Sequence, residues 1–158
     1  MQRMGAAENK QLVLSWFRAG PSSPAGRAML TEDFRWWIPK GMAGLITDGR
    51  PVLDGPDALL ELHAVDKAVY AGGDTSFELR YIVAEDEWVI LQAEIGARSH
   101  DGDEYSNLYV FSFKCRDGRI AEAWESTDTK YWCDTIVGRP EQLAGVQARL
   151  ERARAALA

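Results

Sequence analysis

Leu12, Val13, Trp16 and Phe17 recur at helical spacing behind a polar start, and Gly20-Pro21 breaks the pattern, so the first predicted element is an amphipathic helix ending near Ala19. A short second helix is predicted over residues 25–30. Residues 34–38 are aromatic and β-branched and are closed by Pro39 and Gly41, which reads as a strand entering a loop. Trp36 and Trp37 are adjacent on it and must point to opposite faces. Gly55-Pro56-Asp57 precedes a third helix over 58–70, where Leu59, Leu62 and Val69 keep helical spacing and Gly72-Gly73 ends the run. The period then changes. Residues 75–83, 88–98, 104–115 and 119–129 are strand-like runs separated by Glu85-Asp86, Asp101-Gly102-Asp103 and Asp117-Gly118, the pattern of an antiparallel meander. Pro140 opens a final helix with Leu143, Val146, Leu150 and Leu157 on one side, either a lid on the domain or a contact for another subunit. Helices segregated from a meander define the α+β class.

Length and composition narrow the picture. The 158 residues suit one domain, 1–158, with a core over about 8–132 and the extra helix over 140–157. With 46% hydrophobic and 27% charged residues, the chain is that of a packed globular protein. A net charge of −6 and a pI near 5.0 speak against a surface that neutralises nucleic-acid phosphates. The start, MQRMGAAENK, has no apolar stretch of signal-peptide length, and no run of about eighteen apolar residues occurs, so a cytoplasmic protein without a membrane partner is expected. Cys115 and Cys133 are too far apart for a zinc knuckle or redox pair and read as reduced structural thiols. No His, Cys and carboxylate cluster has metal spacing, so no metal is expected. Gly41, Gly44 and Gly49 lie in a loop without the strand-to-helix context of a phosphate cradle.

The run EYSNLYVFSFKCRDGRIAEAWESTDTKYW resembles the C-terminal half of SnoaL-like proteins, with Asn107 on an aromatic strand, the turn from Arg116 to Ile120, and an acidic strand end at Glu125 and Asp128. LTEDFRWWIPKG resembles the segment where those proteins carry an acid, tryptophans and a proline on the way into a pocket, and GPDALLELHAVDKAV takes the place of their third helix. The resemblance spans about residues 8–132. It places the chain in the nuclear-transport-factor-2-like superfamily, beside ketosteroid isomerase, polyketide cyclases and limonene epoxide hydrolase. It implies a cone-shaped, curved antiparallel sheet wrapped around three N-terminal helices, a cystatin-like α+β roll enclosing a small-molecule pocket. It also implies a homodimer through the convex sheet face.

Strand alternation nominates the pocket side chains. On 88–98 one parity holds Gln92 and Glu94, and the other is the apolar row Val89, Leu91, Ala93 and Ile95. The greasy row is expected to meet another protein surface and the mixed row to surround a ligand. On the next strand Tyr105, Asn107, Tyr109, Phe111 and Phe113 share a face, and on the last Ala121, Ala123, Glu125 and Thr127 do. If these parities look inward, Glu94 and Glu125 stand about 10 Å apart at the backbone and converge on one substrate. Burial would raise their pKa values into the range of general acid–base work. Similarity to limonene epoxide hydrolase places Gln92, Glu94 and Glu125 at the positions of its Arg and two Asp residues; Gln92 removes the cation, which favours a single-base mechanism. Substrate-binding candidates are Trp37, His63, Gln92, Tyr105, Tyr109 and Asp128. The plainer alternative for Asp128 is a turn or cap, and for His63 a solvated helix face. His100, beside the Asp101-Gly102 turn, is expected to be exposed. Trp16, Trp36 and Trp88 read as core, Trp124 and Trp132 as a subunit contact.

The expected function is a cofactor-independent small-molecule enzyme of the SnoaL and ketosteroid isomerase type. It would isomerise, dehydrate or cyclise a hydrophobic oxygenated compound, polyketide-, terpenoid- or steroid-like. Glu94 and Glu125 would be acid and base, and Asn107 with Tyr105 or Tyr109 would polarise the substrate oxygen. The alternatives are a non-catalytic binding domain, an epoxide hydrolase of the limonene epoxide hydrolase type, and an assembly module.

Overall fold

Capping and close backbone approach set the first elements of the chain, for which a computed structural model describes residues 5–157. Helix α1 (Ala6–Ala19) starts where the Glu8 carboxylate takes the Gly5 N–H at 2.8 Å. It ends at Gly20, whose φ of 82° suits a residue without a Cβ. Helix α2 (Pro24–Arg27) opens with the Ser23 hydroxyl accepting from Gly26 N–H at 3.0 Å. A Cβ on Gly26 would lie 2.2 Å from the Gly20 carbonyl, so only glycine lets α2 fold back on the end of α1. Residues 1–4 and 158, part of the expected domain and of the polar start, lie outside the described residues.

Strand β1 (Leu30–Trp37) leads into helix α3 (Lys40–Ile46) and the short strand β2 (Val52–Asp54). Helix α4 (Ala58–Val69) and a 3-10 turn over Ala71–Gly73 precede the meander β3 (Ser76–Glu85), β4 (Trp88–Arg98), β5 (Glu104–Arg116) and β6 (Arg119–Thr127). Helices α5 (Thr129–Ile136) and α6 (Pro140–Leu157) close the chain. The six strands form one open, curved sheet in the order β2-β1-β6-β5-β4-β3, with β1 parallel to β6 and every other pair antiparallel. This is the expected α+β architecture with an added C-terminal helix, and it carries elements that the pattern did not announce. The loop of Gly41 and Gly44 is in fact α3, which buries Met42, Ala43 and Ile46 on one face. Helix α5 starts where the Asp128 carboxylate accepts from Tyr131 N–H at 2.9 Å, and it buries Trp132 and Ile136 one turn apart. Residues 128 and 129 therefore belong to a cap and a helix, and Leu30 to β1 instead of the second helix.

The core lies between the concave face and the helices. Trp16 of α1 meets Phe113 of β5 edge-on at 5.6 Å, and Val13, Phe34, Phe113, Ile120 and Ala123 are 0% exposed. Val89, Leu91 and Ala93 are also 0% exposed, which corrects the expected orientation of β4: its apolar row supplies the core, and Trp88, Ile90, Gln92 and Glu94 point outward. Helix α6 holds the outside of the helical layer. Arg149 Nε donates to the Ala68 carbonyl of α4 at 2.6 Å and Arg154 to the Ile46 carbonyl of α3 at 2.9 Å. It braces two of the helices that wall the hollow. Among the described residues, no helix is long and apolar enough to cross a membrane, and both cysteines are free.

Candidate active site

Between the concave face and helices α1, α3 and α4 the core is not filled, and a hollow of about 400 Å³ remains. Its walls are mostly apolar. Trp16 and Phe17 come from α1, Trp36 from β1, Met42 and Ile46 from α3, Leu59 and Leu62 from α4, and Phe111 from β5. Ser22, His63, Thr75 and Phe77 line it at its more exposed end. Into this greasy space come two carboxyls, Glu125 of β6 and Asp66 of α4, and two phenols, Tyr109 of β5 and Tyr70 at the end of α4.

Burial is costly for both acids. It pushes Glu125 up from 4.5 to about 7, helped by repulsion from Asp66 and opposed by the Trp36 indole, whose N–H donates to Glu125 Oε2 at 3.3 Å. Asp66 rises from 3.8 to about 7 through burial. Near neutral pH the pair therefore holds protons that it can give or take.

The phenols are fixed from behind. Asn107 Nδ2 donates to the Tyr105 hydroxyl at 2.9 Å and to the Asp128 carbonyl at 3.0 Å, while its Oδ1 accepts from Leu108 N–H at 2.9 Å. Tyr105 has no other acceptor among the described residues, so its hydrogen goes to the Tyr109 oxygen, 2.7 Å away. Tyr109 in turn shares a hydrogen bond with the Tyr70 hydroxyl, so the chain runs from Asn107 through Tyr105 and Tyr109 to Tyr70. Trp132 Nε1 of α5 also donates to the Tyr70 hydroxyl at 2.9 Å, which leaves the Tyr70 hydrogen for the hollow. Burial pushes Tyr105 up to about 12 and Tyr70 and Tyr109 well above the ordinary phenol range, so all three stay neutral. The site thus offers two exchangeable carboxyl protons and one oriented O–H donor at the end of a chain of phenols.

The structure brings Glu125, Tyr109 and Asn107 together with Tyr105, the last two behind the wall as supports. His63 lines the hollow while remaining exposed. Four expectations are corrected. Glu94 faces out, where it is bonded to Arg80 of β3 and Ser106 of β5; those bonds hold its carboxyl below the usual range, with Ser106 the larger cause. Gln92, on the same parity, also looks outward, so the three positions matched to limonene epoxide hydrolase do not converge. Trp37 stacks on Trp124 of the outer face, centroids 6.2 Å apart, and donates to Glu122 Oε2 at 3.4 Å, while its neighbour Trp36 takes the place in the wall. Asp128 serves as the α5 cap, and its backbone carbonyl, not its carboxylate, reaches Asn107. His100 is exposed beside the turn, as expected, and partial desolvation followed by the nearby Arg149 lowers its pKa.

Sequence reasoning missed Asp66, Tyr70 and the role of Trp132. The signal for Asp66 was present: it falls four residues after Leu62 and seven after Leu59, an acid set into the apolar stripe of α4. Trp132 was read as a subunit contact but is 0% exposed within the chain. Among the described residues no group of His, Cys, Asp and Glu is arranged to hold a metal ion.

Comparison with solved structures finds the same fold. TerC, co-crystallized with polyporic acid, superposes with a TM-score of 0.72 at 18% identity over 81% of this chain and 97% of that one. A protein of Jannaschia sp. CCS1 described as a SnoaL-like polyketide cyclase gives 0.69 at 17% identity, over 89% and 99%. One of Kribbella flavida DSM 17836 described as a ketosteroid isomerase gives 0.58 at 15% identity, over 77% and 78%. No curated protein sequence matches the chain. The profile of the SnoaL-like domain matches residues 17–123, from the last turn of α1 into β6 and across more than half of the sequence, and the chain belongs to the SnoaL-like family.

Proposed function

We propose that the protein is an enzyme that moves protons on a hydrophobic, oxygenated ring compound, so isomerising, dehydrating or cyclising it. The observation that carries this reading is the pair Glu125 and Asp66, two carboxyls in an aromatic hollow, each displaced to about 7. Two such groups in mutual repulsion titrate as a pair, so one can be acid while the other is base near neutral pH. Glu125 takes a proton from carbon beside a carbonyl, or from a hydroxyl. The Tyr70 hydrogen meets the oxygen on which charge develops, pre-aimed by Trp132 and by the chain from Asn107 through Tyr105 and Tyr109. Such a reaction needs only proton transfers. The SnoaL-like domain and the relatives named as polyketide cyclase and ketosteroid isomerase support the class of chemistry.

A homodimer through the outer sheet face belongs to the same reading. The seat differs from the row expected at first: Tyr81, Val83, Trp88, Ile90 and Leu108 are exposed there on adjoining strands, and a second copy would remove them from water.

The test is exchange of the α-hydrogens of cyclic ketones such as tetralone with solvent deuterium, followed by NMR at about pH 7. Glu125→Gln should slow it by about 10²–10⁴-fold and Asp66→Asn should slow it as well. Exchange at the parent rate in both variants would remove the mechanism.

A further inference from the structure

The hollow is charged on one side only. Glu125 and Asp66 face it, and no lysine or arginine of the described residues lines it. The other ionisable groups in its wall are the two neutral phenols and His63 at the exposed end; α1, β1, α3, β3 and β4 contribute none. The Asp66 carboxyl has neither a hydrogen-bond nor an ion-pair partner among the described residues, and desolvation is the cause of its raised pKa. A desolvated acid without a counter-ion is a costly arrangement that a bound cation would relieve.

The remaining wall favours the same kind of ligand. Trp36 stands 6.1 Å from both Trp16 and Phe111, and Phe17 lies 4.8 Å from Trp16, all four lining the hollow. Aromatic faces attract an ammonium group, most strongly where water is excluded. The net charge of −6 adds a long-range field of the same preference. A neutral ligand would leave the carboxyl pair uncompensated, and an anionic one would add a like charge to it.

We infer that the hollow takes a hydrophobic ring compound carrying a basic nitrogen, with its ammonium group seated against Asp66 among the aromatic rings and Glu125 left to move the proton. This deepens the proposed function and rests on it in taking the hollow as the ligand site. Binding the ammonium form draws both carboxyls into their ionised state, so protons leave the protein as the ligand enters.

Isothermal titration with tryptamine, tryptophol and indoleacetate tests it, since the three share a ring system and differ in the charge of the side chain. At about pH 7, tryptamine should bind about tenfold or more tightly than tryptophol, and indoleacetate should be the weakest. Titrations in phosphate and in Tris should differ in heat by the amount expected for proton release. Asp66→Asn should bring tryptamine down to the level of tryptophol without weakening tryptophol, and Glu125→Gln, as a second variant, should lessen the proton release. Tryptophol binding as tightly as tryptamine would overturn the inference; if Glu125→Gln still slowed deuterium exchange, the proposed function would stand without it. Absence of binding by all three would overturn it too, and unchanged exchange in the same variant would then take the proposed function with it.

Discussion

Replacing Glu125 by Gln should stabilise the protein at alkaline pH and leave it nearly unchanged at acid pH. The folded-state pKa of Glu125 is raised from 4.5 to about 7, so the folded chain holds a proton that the unfolded chain has already released. Below about pH 4.5 both states are protonated and the group contributes no difference; as pH rises through the window from 4.5 to about 7 stability is lost, and above it the loss is complete. The full displacement corresponds to about 3 kcal/mol. Glu125 is only half-buried, with the hollow beside it, and hydration there reduces the expected gain to about 1–3 kcal/mol. Glutamine keeps an oxygen for the Trp36 N–H, now 3.3 Å from Oε2, so packing changes little. For a chain of this size about 2 kcal/mol moves the thermal midpoint by about 4–8 °C. Circular-dichroism melts of parent and variant at about pH 4.5 and pH 8.5, in matched salt, measure the gap. Asp66→Asn should behave alike. Because each single variant also removes the repulsion between the two acids, the double variant should gain less at high pH than the two gains added together. A gap independent of pH, or strict additivity, would refute the reading of Glu125 and Asp66 as a coupled desolvated pair.

Trp36→Phe removes the one hydrogen bond that holds the Glu125 pKa down, so the limb of the pH–rate profile set by Glu125 should move to higher pH, as exchange kinetics between about pH 5 and pH 9 would show. Glu94→Gln should leave exchange kinetics at the parent level and stability marginally lower, since that acid is tied to Arg80 and Ser106 on the outer face; a loss of turnover like that of Glu125→Gln would contradict the assignment. Ile90→Lys places a charge in the exposed outer row beside Val83 and should shift sedimentation equilibrium toward the monomer while the hollow keeps its ligand affinity.

What the sequence could and could not tell follows from element length and from how lopsided each face is. Helix α1, the four strands of the meander and α6 are long enough for their period to declare itself. Helix α3 has 7 residues and β2 has 3, too few for a period, and both sit in a stretch whose glycines read as loop. Helix α5 follows β6 with only Asp128 between, so the strand pattern appeared to run on to residue 129. On β5 the aromatic residues occupy a single parity, and that face could only be the inner one. Strand β4 has an asymmetry of its own, a purely apolar row against one holding Gln92 and Glu94, but the pattern alone turns the polar row toward a ligand, whereas the apolar row is the one that the core takes.

The two acids show why the site was half legible. Placing Glu94 inward assumed that a mid-strand carboxylate needs a pocket, but Arg80 and Ser106 on the neighbouring strands satisfy it, and their reach depends on a register shift in β3 between Leu79 and Tyr81 that no local pattern encodes. Glu125 has no such neighbour: its strand partner across the ladder is Phe111, and the cation-free space ahead of it is closed by α4. Asp66 is its complement for the same reason. An acid within an apolar helical stripe must either find a cation or face a space that is not filled by protein, and α4 offers it no cation. The chemistry therefore gathers where the core leaves a gap, and the interrupted stripe of one helix together with the unpaired acid of one strand is the sequence trace of that gap.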